Sequence, residues 1–250
     1  MEHGPTFYAV AVVAVLISAV SKGGFGSGAG FVSAPLLALV MPPAQAVGLL
    51  LPLLMLMDVT SLKSYWRKWD WRHARLLMIG GVPGTLLGWW LFRSISADGV
   101  RLMVGAMALG FVLFQIARQR RWLRPPPGDR GTPAGLFWGT ITGFTSFVSH
   151  AGGPPATMYL LGAGLDKTTY QATTVIVFWF INAIKLPFYL ALGMFTAESA
   201  LVNFILGPIA VAGVFIGVWA HDLVEEKLFF RLTYALLAVA GGKLIYDALT

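Results

Sequence analysis

The sequence predicts an all-α polytopic membrane protein of two homologous halves arranged as inverted repeats, with about 8–10 transmembrane or half-membrane helices. Three observations predict it. Of 250 residues, 57% are hydrophobic and only 12% are charged, and the mean hydropathy is +0.73. A soluble domain carries about 25% charged residues and could not cover so much apolar surface with a polar coat. The apolar residues also fall in long runs, and a basic, proline-rich segment divides the chain near its midpoint.

Five apolar runs precede that segment, at 6–20, 28–41, 45–62, 75–92 and 99–117; five follow it, at 133–149, 154–164, 168–192, 197–220 and 228–249. The segment Arg124-Pro125-Pro126-Pro127-Gly128-Asp129-Arg130-Gly131 cannot be a helix interior, because proline lacks the donor and clashes with the preceding turn. The expected division is a first transmembrane repeat at 1–120, a cytoplasmic linker at 121–132 and a second repeat at 133–250. The second run of each half is short. Residues 154–164 would reach only about 16 Å as a helix, against a hydrocarbon core of about 30 Å. The first two runs of each half therefore read as a half-membrane hairpin with a glycine-rich tip, or else as two short, tilted spans. Irregular backbone at membrane depth must face protein or a wet cavity, so the tips are expected inside the molecule.

The halves share motifs in a common order. Ser21-Lys22-Gly23-Gly24 parallels Ser149-His150-Ala151-Gly152-Gly153, and Gln45-Ala46 parallels Gln171-Ala172. Gly84-x3-Gly88 parallels Gly213-x3-Gly217, and Val100-Arg101-Leu102 parallels Phe230-Arg231-Leu232. The net charge of +7 comes largely from two clusters, Lys63, Arg67, Lys68, Arg72 and Arg75, and Arg118, Arg120, Arg121, Arg124 and Arg130. Both lie in short gaps between apolar runs. That placement follows the positive-inside rule rather than a nucleic-acid surface, and it puts both gaps in the cytoplasm. The 193–199 loop carries Glu198 and no Lys or Arg, so it reads as external, as do both termini. Each half then crosses the membrane an odd number of times, which inverts the second half relative to the first. No Lys or Arg precedes Lys22, a poor start for a signal peptide, so the first run is expected to be retained.

Candidate site residues follow from the same logic. In the first tip, Gly23, Gly24 and Gly26 can present backbone N–H groups to an anion, or simply allow close helix packing. Lys22 adds a full charge there, unless it snorkels to the surface. In the second tip, Gly152 and Gly153 precede Pro154 and Pro155, which suit a helix's first turn. His150 corresponds to Lys22; it can donate to an anion, exchange a proton or serve as a structural hydrogen-bonding group. Lys185 lies inside an apolar run, where a cation is expensive and marks function by default. Asn182 is three residues earlier on the same face. Asp58 is a candidate counter-ion of Lys185, a proton site, or a hydrated carboxylate near a helix end. Thr168, Thr169, Thr173 and Thr174 read as capping and interhelical hydroxyls, and the aromatics at 65, 66, 69 and 71 as an interfacial belt. The glycine ridges serve internal packing or a homodimer equally, so monomer and homodimer both stay open.

The paired segments from Lys22-Gly23-Gly24-Phe25-Gly26 to Pro35-Leu36-Leu37, and from His150-Ala151-Gly152-Gly153-Pro154-Pro155 to Tyr159-Leu160-Leu161, resemble the sulfite exporter TauE/SafE family, also called TSUP. Asn182-x-x-Lys185-Leu186 and Gly193-x-Phe195-Thr196 carry the same resemblance. It implies a multi-pass carrier of the bacterial inner membrane for sulfite, sulfoacetate, isethionate or related sulfonates. A small oxyanion needs N–H donors and cations in a dry pocket. Lys22, Gly23, Gly24, Gly26, His150, Gly152, Gly153, Asn182 and Lys185 are the expected binding residues, with His150 and Asp58 available for proton coupling. Partners are then the anion, protons as candidate coupling ion and the bilayer. No cofactor or metal site is legible, and zero cysteines exclude thiolate chemistry. No nucleophile–base arrangement or nucleotide loop marks an enzyme. An anion channel and a non-transporting assembly subunit are the competing expectations.

Overall fold

In a computed structural model, residues 4–24, 30–120, 122, 131–220 and 226–250 are described. They form ten α-helices and two short 3₁₀ turns. In chain order these are α1 (Pro5–Gly24), α2 (Ser33–Leu37), α3 (Pro43–Ser64), α4 (Trp71–Ser94), α5 (Ala97–Gln119), α6 (Gly131–Ser149), α7 (Gly153–Leu160), α8 (Lys167–Ala191), α9 (Ala197–Ala220) and α10 (Glu226–Leu249). Among the described residues, α1, α3, α4, α5, α8 and α9 are long and apolar enough to cross a membrane. The chain is a polytopic helical membrane protein, and its outer faces fit that solvent: Phe204 is 82% exposed and Trp219 69% exposed. Most of the 121–132 linker lies outside the described residues.

Each boundary has a local cause. The Asp70 carboxylate accepts from the His73 amide at 2.8 Å and opens α4; Ser96 does the same for α5 through Gly99. Asp166 accepts from the Thr168 and Thr169 amides, both at 3.0 Å, and opens α8. These side chains satisfy amides that the helix itself leaves unbonded. Pro43 starts α3 and Pro154 stands in the first turn of α7, where a missing N–H costs nothing. Left-handed glycines at Gly164 and Gly193 end the 3₁₀ turn after α7 and the α8 segment.

One arm is longer than a half-membrane hairpin requires. α1 has 20 residues, about 30 Å at the helical rise, a full crossing length. It continues through Gly23 and Gly24 because α9 lies against them: a Cβ there would strike the backbone of Val214 and Gly217. The second arms are short, five residues in α2 and eight in α7.

The helix pairing is unchanged when the halves are exchanged. α1 packs on α9 as α6 packs on α4; α3 packs on α9 as α8 packs on α4; α5 packs on α10. The glycine ridges lie in the α4–α6 and α1–α9 contacts. A Cβ on Gly84 would meet the Thr140 carbonyl, and one on Gly217 the Val20 carbonyl. These ridges are therefore used inside the chain and are not a surface for a second copy.

Candidate functional site

The two tips lie at the ends of α1 and α6. At the end of α6, His150 takes a left-handed conformation (φ 56°), which turns the chain sharply. The His150 amide still bonds to the Ser146 carbonyl at 3.0 Å and the Ala151 amide to the Thr145 carbonyl at 3.1 Å, closing α6 before α7 begins. A non-glycine residue in this region costs about 1–3 kcal/mol and persists where its surroundings fix it. Here both ring nitrogens are engaged. Nε2 is 2.8 Å from the Val47 carbonyl in α3, and Nδ1 is 2.9 Å from the Lys185 ammonium in α8. A carbonyl can only accept, so Nε2 carries the hydrogen and Nδ1 accepts: the imidazole is the neutral Nε2–H tautomer.

Lys185 is fully buried. Its ammonium donates to the Ser146 carbonyl at 3.0 Å, to Ser146 Oγ at 3.1 Å and to His150 Nδ1. All three N–H bonds are thus used, and every acceptor is neutral. Asp58, a candidate counter-ion of Lys185, makes its direct bonds elsewhere. Its Oδ1 takes the Lys22 ammonium, and its Oδ2 accepts from the Asn182 amide at 2.6 Å. The correction is geometric: the first tip reaches Asp58 before Lys185 does. The same contact shows that Lys22, 8% exposed, turns inward and does not snorkel. Asp58 is 1% exposed, so it is not a hydrated carboxylate at a helix end.

Lys22, Leu54, Ser146, His150, Gly153, Phe178 and Asn182 enclose a cavity of about 20 Å³, room for one water. Lys185 stands behind Ser146 and His150 rather than in the wall. Gly153, the first residue of α7, lines the cavity, so the positive end of that helix borders it. A second hollow of about 150 Å³ lies beside the 192–196 turn, between Pro42, Gln45, Glu198 and Ser199. Leu49 and Met194 also line it, and Met194 sits against Gly48, one residue from the carbonyl that holds His150.

The model of the sulfite exporter TauE/SafE family matches residues 10–244. This chain belongs to that family. No curated protein and no solved structure matches it significantly. TauE/SafE is a family of membrane transporters.

In this TauE/SafE chain the structure gathers Lys22, Asp58, His150, Gly153, Asn182 and Lys185 in one place. Gly152 is next to them, packed so closely on Phe178, Ser146 and the Thr142 carbonyl that a Cβ would not fit. Gly23 and Gly24 are helix residues of α1 and meet α9 rather than the cavity. Gly26 lies outside the described residues. Four further residues belong to the assembly. Ser146 links Lys185 to the cavity. Gln171 donates to the Lys22 carbonyl at 2.6 Å and Tyr65 to the Gly23 carbonyl at 2.7 Å, holding the end of α1. Tyr189 donates to the Phe147 carbonyl at 2.5 Å, holding the end of α6. Tyr65 is therefore a buried strut rather than part of the interfacial belt; Trp66 and Trp71, both more than half exposed, remain suited to that belt. The one sequence signal for these struts was the parallel of Gln171 with Gln45.

Proposed function

We propose that this chain is a secondary active transporter of small sulfur-containing anions, sulfonates such as isethionate or sulfoacetate, or sulfite, working by alternating access. The observation that carries this is Lys185: a fully buried ammonium whose three partners are neutral. A charge held in low dielectric without a counter-charge is expensive, and a bound anion removes that cost. The cation lies beside a helix N-terminus and a second lysine, the donor set that recognises oxyanions. The family supplies the substrate class. A cavity with room for one water supports a carrier over an open pore, because an anion enters only if the surrounding helices move.

The proposal includes the symmetry. The halves, 1–120 and 133–250, are inverted repeats, with the 121–132 linker cytoplasmic and both termini external in a bacterial inner membrane. The exchange-symmetric helix pairing supports it. So do the tips, since α1 ends beside the 65–70 turn through Tyr65, whereas α6 ends toward the 192–196 turn through Tyr189 and Val47. If protons drive the cycle, Asp58 and His150 are the groups in position to carry them.

The test is purified protein in liposomes on a solid-supported membrane, with currents recorded on adding sulfite, thiosulfate, sulfoacetate, isethionate and taurine, with and without a pH gradient, and radiolabel uptake as control. A saturable signal for one anion that Lys185→Met abolishes supports the reading. Silence in both assays, or full activity in Lys185→Met, overturns it.

A further inference from the structure

We propose that Asp58 acts as a charge filter that limits this site to singly charged oxyanions; the proposal rests on the anion-transport reading above. It starts from the charges within reach of the cavity. Lys22 and Asp58 share one ion pair, and wherever their proton sits the pair sums to zero. His150 is neutral by its hydrogen bonds, and Asn182 and Ser146 are neutral by nature. Lys185 is left, so the assembly carries +1. Among the described residues, the cavity wall holds no ionisable side chain besides Lys22 and His150.

A monoanion brings this assembly to zero. A dianion leaves it at −1 in a dehydrated pocket, unless Lys22 leaves Asp58 to meet the second charge. That release is costly. Asn182 donates to the other carboxylate oxygen at 2.6 Å and keeps Asp58 where it is. Once Lys22 moved, a bare carboxylate would face the incoming dianion. Like charges a few ångströms apart at the effective dielectric of a buried site disfavour one another by roughly 100-fold or more. Asp58 thus does two jobs: it neutralises Lys22 and it excludes a second negative charge.

Isethionate and sulfoacetate make a matched pair of probes. Both are two-carbon sulfonates; one ends in a hydroxyl and is singly charged, the other ends in a carboxylate and is doubly charged at neutral pH. The experiment measures uptake of each, at equal concentration and constant ionic strength, by proteoliposomes of wild type, Asp58→Asn and Lys22→Met/Asp58→Asn. The wild type should prefer isethionate at least tenfold. Asp58→Asn raises the assembly to +2, and the ratio should move at least tenfold toward sulfoacetate. The double variant returns the sum to +1, and the isethionate preference should return even if the rate is lower. Equal uptake of both by the wild type overturns the filter, and so does an unchanged ratio in a working Asp58→Asn. Should that variant not fold, Asp58→Ser removes the same charge, and the same shift of the ratio toward sulfoacetate is read from it. Failure of the wild type to move any of the tested anions overturns the transport reading itself.

Discussion

Lys22 and Asp58 are each other's solvation. Remove one and the other is stranded: breaking a buried pair costs about 3–5 kcal/mol, whereas replacing both partners with neutral groups costs little. Lys22→Met should lower unfolding stability in detergent by about that amount, and Lys22→Met/Asp58→Asn should recover most of it; a double-mutant cycle in chemical denaturant measures the coupling. The residue scale is also where the sequence was most and least readable. Lysines at 22 and 185, His150 and Asp58 stand out because an ionisable group inside an apolar run demands a reason. Their partners do not. Whether Asp58 serves Lys22 or Lys185 depends on how deep α1 reaches, and that is set by glycine packing on α9. Ser146 and Tyr189 carry no signal of their own, Tyr65 reads as part of the interfacial belt, and Gln171 stands out only as the parallel of Gln45. Gln171 meets Lys22 across 149 positions, a distance that no local pattern encodes.

Helices were legible because their signals are local: apolar runs, proline at a start, Asp or Ser at a cap. The run read at 154–164 is α7 with its 3₁₀ turn, and the run at 168–192 is α8. Where the reading fell short, at the end of α1, the deciding contact was again tertiary. The α8 cap yields a pH test. The Asp166 carboxyl is held below its ordinary 3.8, chiefly by the Thr169 hydroxyl at 2.5 Å and then by backbone amides. The folded form thus binds its proton less readily than the unfolded form. The stability it contributes is complete above the ordinary value and disappears as the pH falls through the lowered one. Melting curves of wild type and Asp166→Ala should therefore differ most near pH 6 and draw together as the pH falls below 3.8.

The described residues form two sets of five helices, and the tip of each set is gripped by the other half. Gln171 of α8 holds the α1 tip, and Val47 of α3 accepts from the α6 tip. A tip cannot move without loosening a helix of the opposite half, so the halves are mechanically joined at the site. This long-range arrangement was visible in the sequence only as parallel motifs. The small cavity at that junction has a volumetric consequence. It has room for one water, while even a four-heavy-atom oxyanion is several times larger than that. Loading the site must swell the protein interior, and compression opposes swelling. Hydrostatic pressure should thus slow turnover, with a positive activation volume. Stopped-flow uptake in a pressure cell reads it directly: a rate that is flat or rising with pressure would mean that cargo enters through space already present.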